Sequence, residues 1–177
     1  MSTARTILRT STGARRQIHE LLEALFTAEL LSPSAHLFLV SPWIRDLELI
    51  DNRSGRFSGL DPTWSRRNLR LGEILRVLIE RGAHVTLATR PLDENRVFVD
   101  RLRRGLPTSA RERLTVELRK HLHAKGLVGD DYAVKGSMNF THNGLENLEE
   151  LVTFERGPRQ VAELRTQFLS EYGGADR

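Results

Sequence analysis

Cysteine is absent from the 177 residues, which excludes disulfides and any thiolate metal site. Lysine is almost absent: of 27 basic residues only Lys120, Lys125 and Lys135 are lysine, and the other 24 are arginine. Aromatic residues make up 6%. Apolar runs are short: "HLFLV" at 36–40 is among the longest, far below the roughly 20 residues that cross a bilayer. The first residues, "MSTARTILRTSTGARRQ", carry basic side chains without the apolar stretch of a secretion signal. These absences lead us to expect a cytoplasmic protein with no membrane partner.

What is present fits a globular chain, with 39% hydrophobic and 28% charged residues. The formal charge is +4 and the isoelectric point about 10.1. Arginine offers a planar fork that matches phosphate, so a phosphate-rich partner is one reading. A GC-rich codon bias would leave the same composition, and composition alone does not separate the two.

Apolar periodicity and breakers divide the chain. Residues 1–13 read as a polar tail and 14–177 as a single domain. A helix is expected over 14–31, stopped by Ser32-Pro33. A buried strand follows at 36–44, then a long Gly-, Asp-, Asn- and Ser-rich loop at 45–68. A helix at 69–82, a strand at 83–90 and a helix at 93–105 come next, the last opened by an Asp cap. Strands are expected at 113–118, 121–129, 132–136 and 150–155, and a final helix at 158–172 with proline at its start. Alternating strands and helices predict an α/β sandwich around a mixed sheet.

The chemistry concentrates in "HLHAKGLVGDDYAVKGSMNFTHNGLENLEE" at 121–150, which holds two of the three lysines. In an extended chain His121, His123 and Lys125 project to one side. After the turn at Asp130-Asp131, the next strand ends in "GSMNF", where Ser137 and Asn139 share a face and Gly136 lacks a Cβ. An imidazole, an ammonium, a hydroxyl and an amide on adjacent strand ends suit a phosphodiester. The cation neutralises oxygens, Ser137 and Asn139 donate hydrogen bonds, and the imidazole attacks phosphorus. Because this chain writes arginine wherever it needs charge, Lys125 points to a requirement for a compact ammonium. His121 reads as a surface or packing histidine, and no cysteine or acidic residue completes a metal-ligand spacing with it.

The order His123-x-Lys125-x4-Asp130, then Gly136-Ser137-x-Asn139-Phe140-Thr141, resembles the HKD signature of the phospholipase D superfamily. "LFLVSPWI" and "VLIERGAHVTLATRP" resemble the segments that precede the motif there, so the resemblance spans about residues 14–172. The interval from Asp130 to Gly136 is one residue shorter than the commonest spacing, which leaves Asp131 as an alternative to Asp130. "SPWIRDLELIDNRSGRF" together with the motif region also resembles phospholipase-D-like proteins of bacterial deazaguanine DNA-modification clusters.

The resemblance implies a phospholipase-D-like α/β/α sandwich and a metal-free, cofactor-free, ping-pong mechanism. His123 forms a phosphohistidine, Lys125, Ser137 and Asn139 hold the phosphate, and Asp130 completes the motif. A downstream carboxylate orients the imidazole; the "Asn147-Leu148-Glu149" context places it on Glu149, with Glu150 as the neighbour. Family members of full length carry two motifs and this chain has one, so a complete site implies a homodimer. Short members with one motif are typically nucleases, and many act on DNA.

Arg66, Arg67, Arg103 and Arg104 are candidates to line a nucleic-acid groove, and Trp64, in the long loop, to stack on a base. Trp43, directly after a strand, fits core or stacking equally. The reading is a homodimeric DNA phosphodiesterase. Its rivals are a non-catalytic DNA-binding subunit of a modification or phage-defence complex, and a lipid phosphodiesterase or phosphatidyltransferase.

Overall fold

The computed structural model describes residues 4–61 and 63–174. Helix α1, Thr12–Leu31, opens where the Ser11 side chain accepts a hydrogen bond from the Ala14 amide, a standard N-terminal cap. Ile18, Leu22, Phe26 and Leu30 recur along one face of α1 and are fully buried. Strands β2 (His36–Val40), β5 (His84–Thr89) and β6 (Leu114–Leu118) lie parallel and adjacent. Helix α2 (Leu71–Glu80) crosses between the first two and α3 (Asp93–Gly105) between the second and third. Parallel neighbours need such crossovers.

The second half reverses direction. Strand β7 (Gly126–Val128) runs antiparallel to β2, and β8 (Ala133–Gly136) and β9 (Glu150–Glu155) extend the sheet outward. With β1 (Ala4–Arg9) at one edge, the seven-stranded order is β1-β9-β8-β7-β2-β5-β6, the mixed sheet expected. Alternate residues of the strands face opposite layers. Leu39, Leu87, Leu127 and Val134 join one core with α1, α2 and α3. On the other face Phe38, Val128 and Ala133 pack on Val161 of helix α5, Pro158–Tyr172. Further along that face, Val40 and Ala88 meet Leu122 and Tyr172.

Three expectations are corrected. The polar tail contains strand β1, Ala4–Arg9, paired antiparallel with β9 so that Arg9 opposes Glu150. Only Ile7 and Arg9 of β1 are buried, so an edge strand wetted on one face leaves almost no apolar pattern. The strand expected at 121–129 shrinks to β7, and residues 121–125 form an irregular crossing anchored by buried Leu122. The 45–68 loop holds strand β3, Glu48–Ile50, which forms a two-stranded ribbon with β4, Leu69–Arg70.

Trp64 is the fourth correction: it is only 2% exposed and belongs to the main core. Its indole N–H is buried with no hydrogen-bond partner among the described residues, and its place in the core makes its contribution packing. Loop composition hid this, because a single aromatic can fold a polar loop back onto the core. Trp64→Ala is expected to cost about 3–5 kcal/mol of stability in a denaturant titration. A stable variant with weakened oligonucleotide binding would restore the stacking role.

Candidate active site

The C-terminal ends of β2, β5, β6 and β8, the N-terminal ends of β7 and β9, and the end of β1 all meet at one edge of the sheet. His123 and Lys125 enter this edge just before β7, and Ser137 leaves it just after β8. Lys125 Nζ donates to the His123 carbonyl oxygen at 2.7 Å and lies 3.2 Å from His123 Nδ1. An ammonium has no acceptor, so in this contact Nδ1 presents its lone pair and Nε2 carries the proton of a neutral ring. Burial lowers the Lys125 ammonium below the ordinary lysine range, with Glu150 pulling it back up and Arg90 pushing it down.

Ser137 Oγ donates to Glu150 Oε2 and accepts from the Leu151 amide at 2.9 Å. Glu150 is 5% exposed whereas Glu149 is exposed. The inward carboxylate is therefore Glu150, a correction to the expected placement on Glu149. Alternation decides this: β9 begins at Glu150, and Glu150 and Val152 share the buried face. Gly136 has φ +153, and a Cβ there would lie 1.9 Å from the Leu151 carbonyl oxygen. Its glycine is required by the neighbouring strand, which fixes how Ser137 leaves β8.

Asn139 sits below the same edge, its Oδ1 3.3 Å from Ser41 Oγ. Ser41 also lies 2.8 Å from the Trp43 carbonyl and accepts from the Phe140 amide at 3.3 Å. Asn95, in the first turn of α3 and fully buried, ties these loops together. Its Nδ2 donates to the carbonyls of Pro42 at 2.8 Å and Arg90 at 3.0 Å, and its Oδ1 accepts from the Ile44 amide at 3.0 Å and from Arg45 at 3.2 Å. Sequence reasoning missed Asn95, Ser41 and Arg90, none of which lies in the motif. The one available signal for Asn95 was a polar residue on the apolar face of an amphipathic helix.

Asp130 is at the opposite edge, beyond the far end of β7. It accepts from the Ala35 amide at 2.7 Å and pairs with Arg165 of α5. Although burial raises its carboxyl, those donors hold it below the ordinary aspartate range. Asp130 thus fastens α5 and the start of β2 to the β7–β8 turn, and does not meet His123; Asp131 beside it is exposed.

The proposed arginine groove does not form at this edge. Arg66 is exposed, and Arg67 is paired with Glu73. Arg103 and Arg104 end α3, which starts at the catalytic edge and runs away from it, roughly 12 Å from Asn95 along the axis. A cleft of about 790 Å³ lies between α1, the β3–β4 ribbon and the short helix α4, His142–Glu146. Its lining sets five carboxylates, Glu23, Asp46, Glu48, Asp51 and Glu146, against Arg45 and Arg70, with His19 and His142 beside them, so carboxylates outnumber guanidiniums there. A smaller cleft of about 360 Å³ touches His123 itself and is lined by Lys120, His121 and Tyr172. Among the described residues no three His, Asp or Glu side chains cluster as a metal centre would require.

Residues 50–172 match the family described as cardiolipin synthase, PLD-like domain. The chain belongs to this phospholipase-D-like family. Membership supports phosphodiesterase-type chemistry. NucT from Helicobacter pylori shares the fold with a TM-score of 0.63 at 12% identity, over 96% of this chain and 95% of that one. Nuc from Salmonella typhimurium, a phospholipase D family member, gives 0.54 at 12% identity over 96% and 93%. TrmBL2, an archaeal chromatin protein with a novel mode of DNA binding, gives 0.50 at 13% identity over 84% and 47%. No curated protein sequence matches.

The placement of Asp130 sets a pH dependence. A depressed carboxyl stabilises the fold above its unfolded pKa, and that contribution disappears as pH falls through the folded value. Asp130→Asn is therefore expected to lower the denaturation midpoint at neutral pH. The gap to the unmutated protein should close on acidification below the ordinary aspartate range. A gap that stays constant with pH would remove the ionic role.

Proposed function

We propose that the chain is a metal-independent phosphodiesterase acting on DNA through a phosphohistidine, at a site completed by a second copy of itself. The observation that carries the reading is the convergence of His123 and Lys125 with Ser137, Asn139 and Glu150 on one sheet edge. A phosphate entering there draws the Lys125 ammonium from its own backbone onto a non-bridging oxygen. That frees Nδ1: solvent takes the proton from Nε2 and returns one to Nδ1, which donates a hydrogen bond to a carboxylate, for which Glu150 is the buried candidate, and the lone pair is then on Nε2.

Nε2 attacks phosphorus, the bond to the leaving oxygen breaks, and the partner subunit's His123 protonates that oxygen. Water then attacks the phosphohistidine and gives its proton to the same partner imidazole. The phosphorus–nitrogen bond breaks and a phosphomonoester is released. Asn139 donates to the developing charge on the equatorial oxygens, and Ser137 joins it when its one hydroxyl hydrogen turns from Glu150 to the phosphate.

A two-fold partner is supported by exposed leucines that flank the edge: Leu8 and Leu151 are cross-strand neighbours 60% and 46% exposed, and Leu118 and Leu148 stand at or just before strand ends. DNA is supported by the basic cleft beside His123 and by the resemblance of single-motif members to nucleases. For the lipid alternative, the family's name is the supporting feature; no described helix is long and apolar enough to cross a membrane.

Incubation with single- and double-stranded DNA in EDTA is expected to give cleavage by the unmutated protein and none by His123→Ala. Equal cleavage by both proteins would sink the mechanism. Failure of a confirmed dimer to cut any DNA, or to turn over bis(p-nitrophenyl) phosphate, would sink the activity and favour a binding subunit. Lys125 adds a pH signature. Only the ammonium grips phosphate, so KM should rise on the alkaline side at a pH below the ordinary lysine range, and Lys125→Arg should abolish that limb. A KM that stays flat through this range would contradict the assignment.

A further inference from the structure

Arg90 is a half-buried arginine at this edge that no carboxylate answers among the described residues; Arg9, at the end of β1, also lacks an ion pair but is buried. The neighbour of Arg90, Arg45, pairs with Glu94 at 2.8 Å, and Arg119 pairs with Glu171 at 2.6 Å. Arg90 is held in another way. Its guanidinium lies over the Trp43 ring, 4.7 Å from the centroid, and its Nε donates to the Leu122 carbonyl at 2.9 Å. Its own backbone carbonyl is fixed by Asn95. Among the described residues no hydrogen bond or ion pair engages its two terminal nitrogens.

This geometry has a cost that an empty surface would not carry. Two half-buried cations, Arg90 and Lys125, are close enough to repel, and Arg90 destabilises the Lys125 charge. An aromatic platform and a backbone acceptor nevertheless hold the guanidinium in place, with its free fork beside the residue that precedes His123. A planar fork with two free terminal nitrogens is matched to the paired oxygens of a phosphate. The same side of the edge continues into the cleft lined by Lys120 and His121, whereas the acidic cleft lies toward α1 and the β3–β4 ribbon.

Building on the phosphodiesterase reading above, we infer that Arg90, carried on Trp43, forms a second phosphate subsite beside the catalytic one. Its ligand is the neighbouring phosphate of a polynucleotide strand that runs along the Lys120–His121 rim. A substrate with one phosphodiester and no neighbouring phosphate reaches His123 and Lys125 but leaves this subsite empty. The subsite therefore selects a polymer over an isolated diester.

The test compares Arg90→Ala and Arg90→Lys with the unmutated protein on two substrates in EDTA: a short single-stranded oligodeoxynucleotide and bis(p-nitrophenyl) phosphate. For Arg90→Ala, kcat/KM on the oligonucleotide should fall about tenfold more than on the small diester. The salt slope of oligonucleotide affinity, read by fluorescence anisotropy, should drop by about 0.7, the share of one phosphate on a single strand. Arg90→Lys keeps the charge and should retain most of the salt slope. Equal losses on both substrates would overturn the subsite and leave Arg90 as a support for the His123 loop through Leu122. An unchanged salt slope would overturn it as well, as would an unmutated protein that turns over the small diester but has no affinity for the oligonucleotide. Failure to turn over either substrate counts against the underlying activity, and the anisotropy measurement then decides the subsite independently.

Discussion

The edge that carries the candidate site depends on a buried amide. Asn95 has no exposed surface, and it satisfies its two donors and its acceptor with groups from the ends of two strands. Parallel strands release their chains at the same edge, and nothing in β-pairing itself holds the emerging loops at fixed separations. Asn95 does this by bridging Pro42 and Ile44 after β2 to Arg90 after β5. A buried amide with all its groups paired is rigid, and each group orphaned by its removal would cost about 1–3 kcal/mol. Through Ser41 the same scaffold reaches Asn139, and through Arg90 it reaches the carbonyl of Leu122, beside His123. The site is thus assembled from residues far apart in sequence by one side chain that never touches a substrate.

Much of the fold was legible because its helices are amphipathic and its central strands are short apolar runs. Ile18, Leu22, Phe26 and Leu30 announce α1, and "HLFLV" announces β2. β1 was illegible because an edge strand needs only one or two inward residues, and here one of them is an arginine. The site divides along similar lines. His123, Lys125, Ser137 and Asn139 stand in a contiguous signature, so spacing alone brought them together. Glu150 could be told from Glu149 only by knowing where β9 starts. A shift of one residue exchanges the faces of a strand, and a pair of glutamates gives no composition signal to fix that phase. Trp64 and Asp130 failed for the opposite reason: their residue types suggested function, while their surroundings use them for packing and for docking α5.

Charge is distributed unevenly around the edge. The mild net excess of +4 says little about where a polyanion would lie. Several of the exposed arginines are paired with carboxylates, as in Arg67 with Glu73, Arg70 with Glu48 and Arg53 with Asp51. Such pairs contribute little to stability at a solvated surface, but they cancel the local field that would attract DNA. At this edge, Arg90 and Lys120 on the rim next to α5 have no ion pair among the described residues, while the cleft on the other rim presents more carboxylates than cations. A strand approaching this edge meets attraction on one side and repulsion on the other.

The scarcity of lysine then acquires a physical meaning. Lys135 answers Glu155 at 3.1 Å on the face of the sheet, a position an arginine could also fill. Lys125 is different. Its nitrogen contacts the carbonyl and the ring of one residue two positions earlier, within a sharp irregular turn. A guanidinium spreads its donors over a plane and holds its charge at any accessible pH, so it would not make this compact contact and would not respond to burial. A point-like ammonium rests against His123 here, and in the proposed mechanism it turns to a phosphate oxygen. Arg90 supplies the complementary behaviour a short distance away: a fixed, planar, permanently charged fork. One cation that moves and one that does not is a division of labour that a chain otherwise written in arginine makes only here.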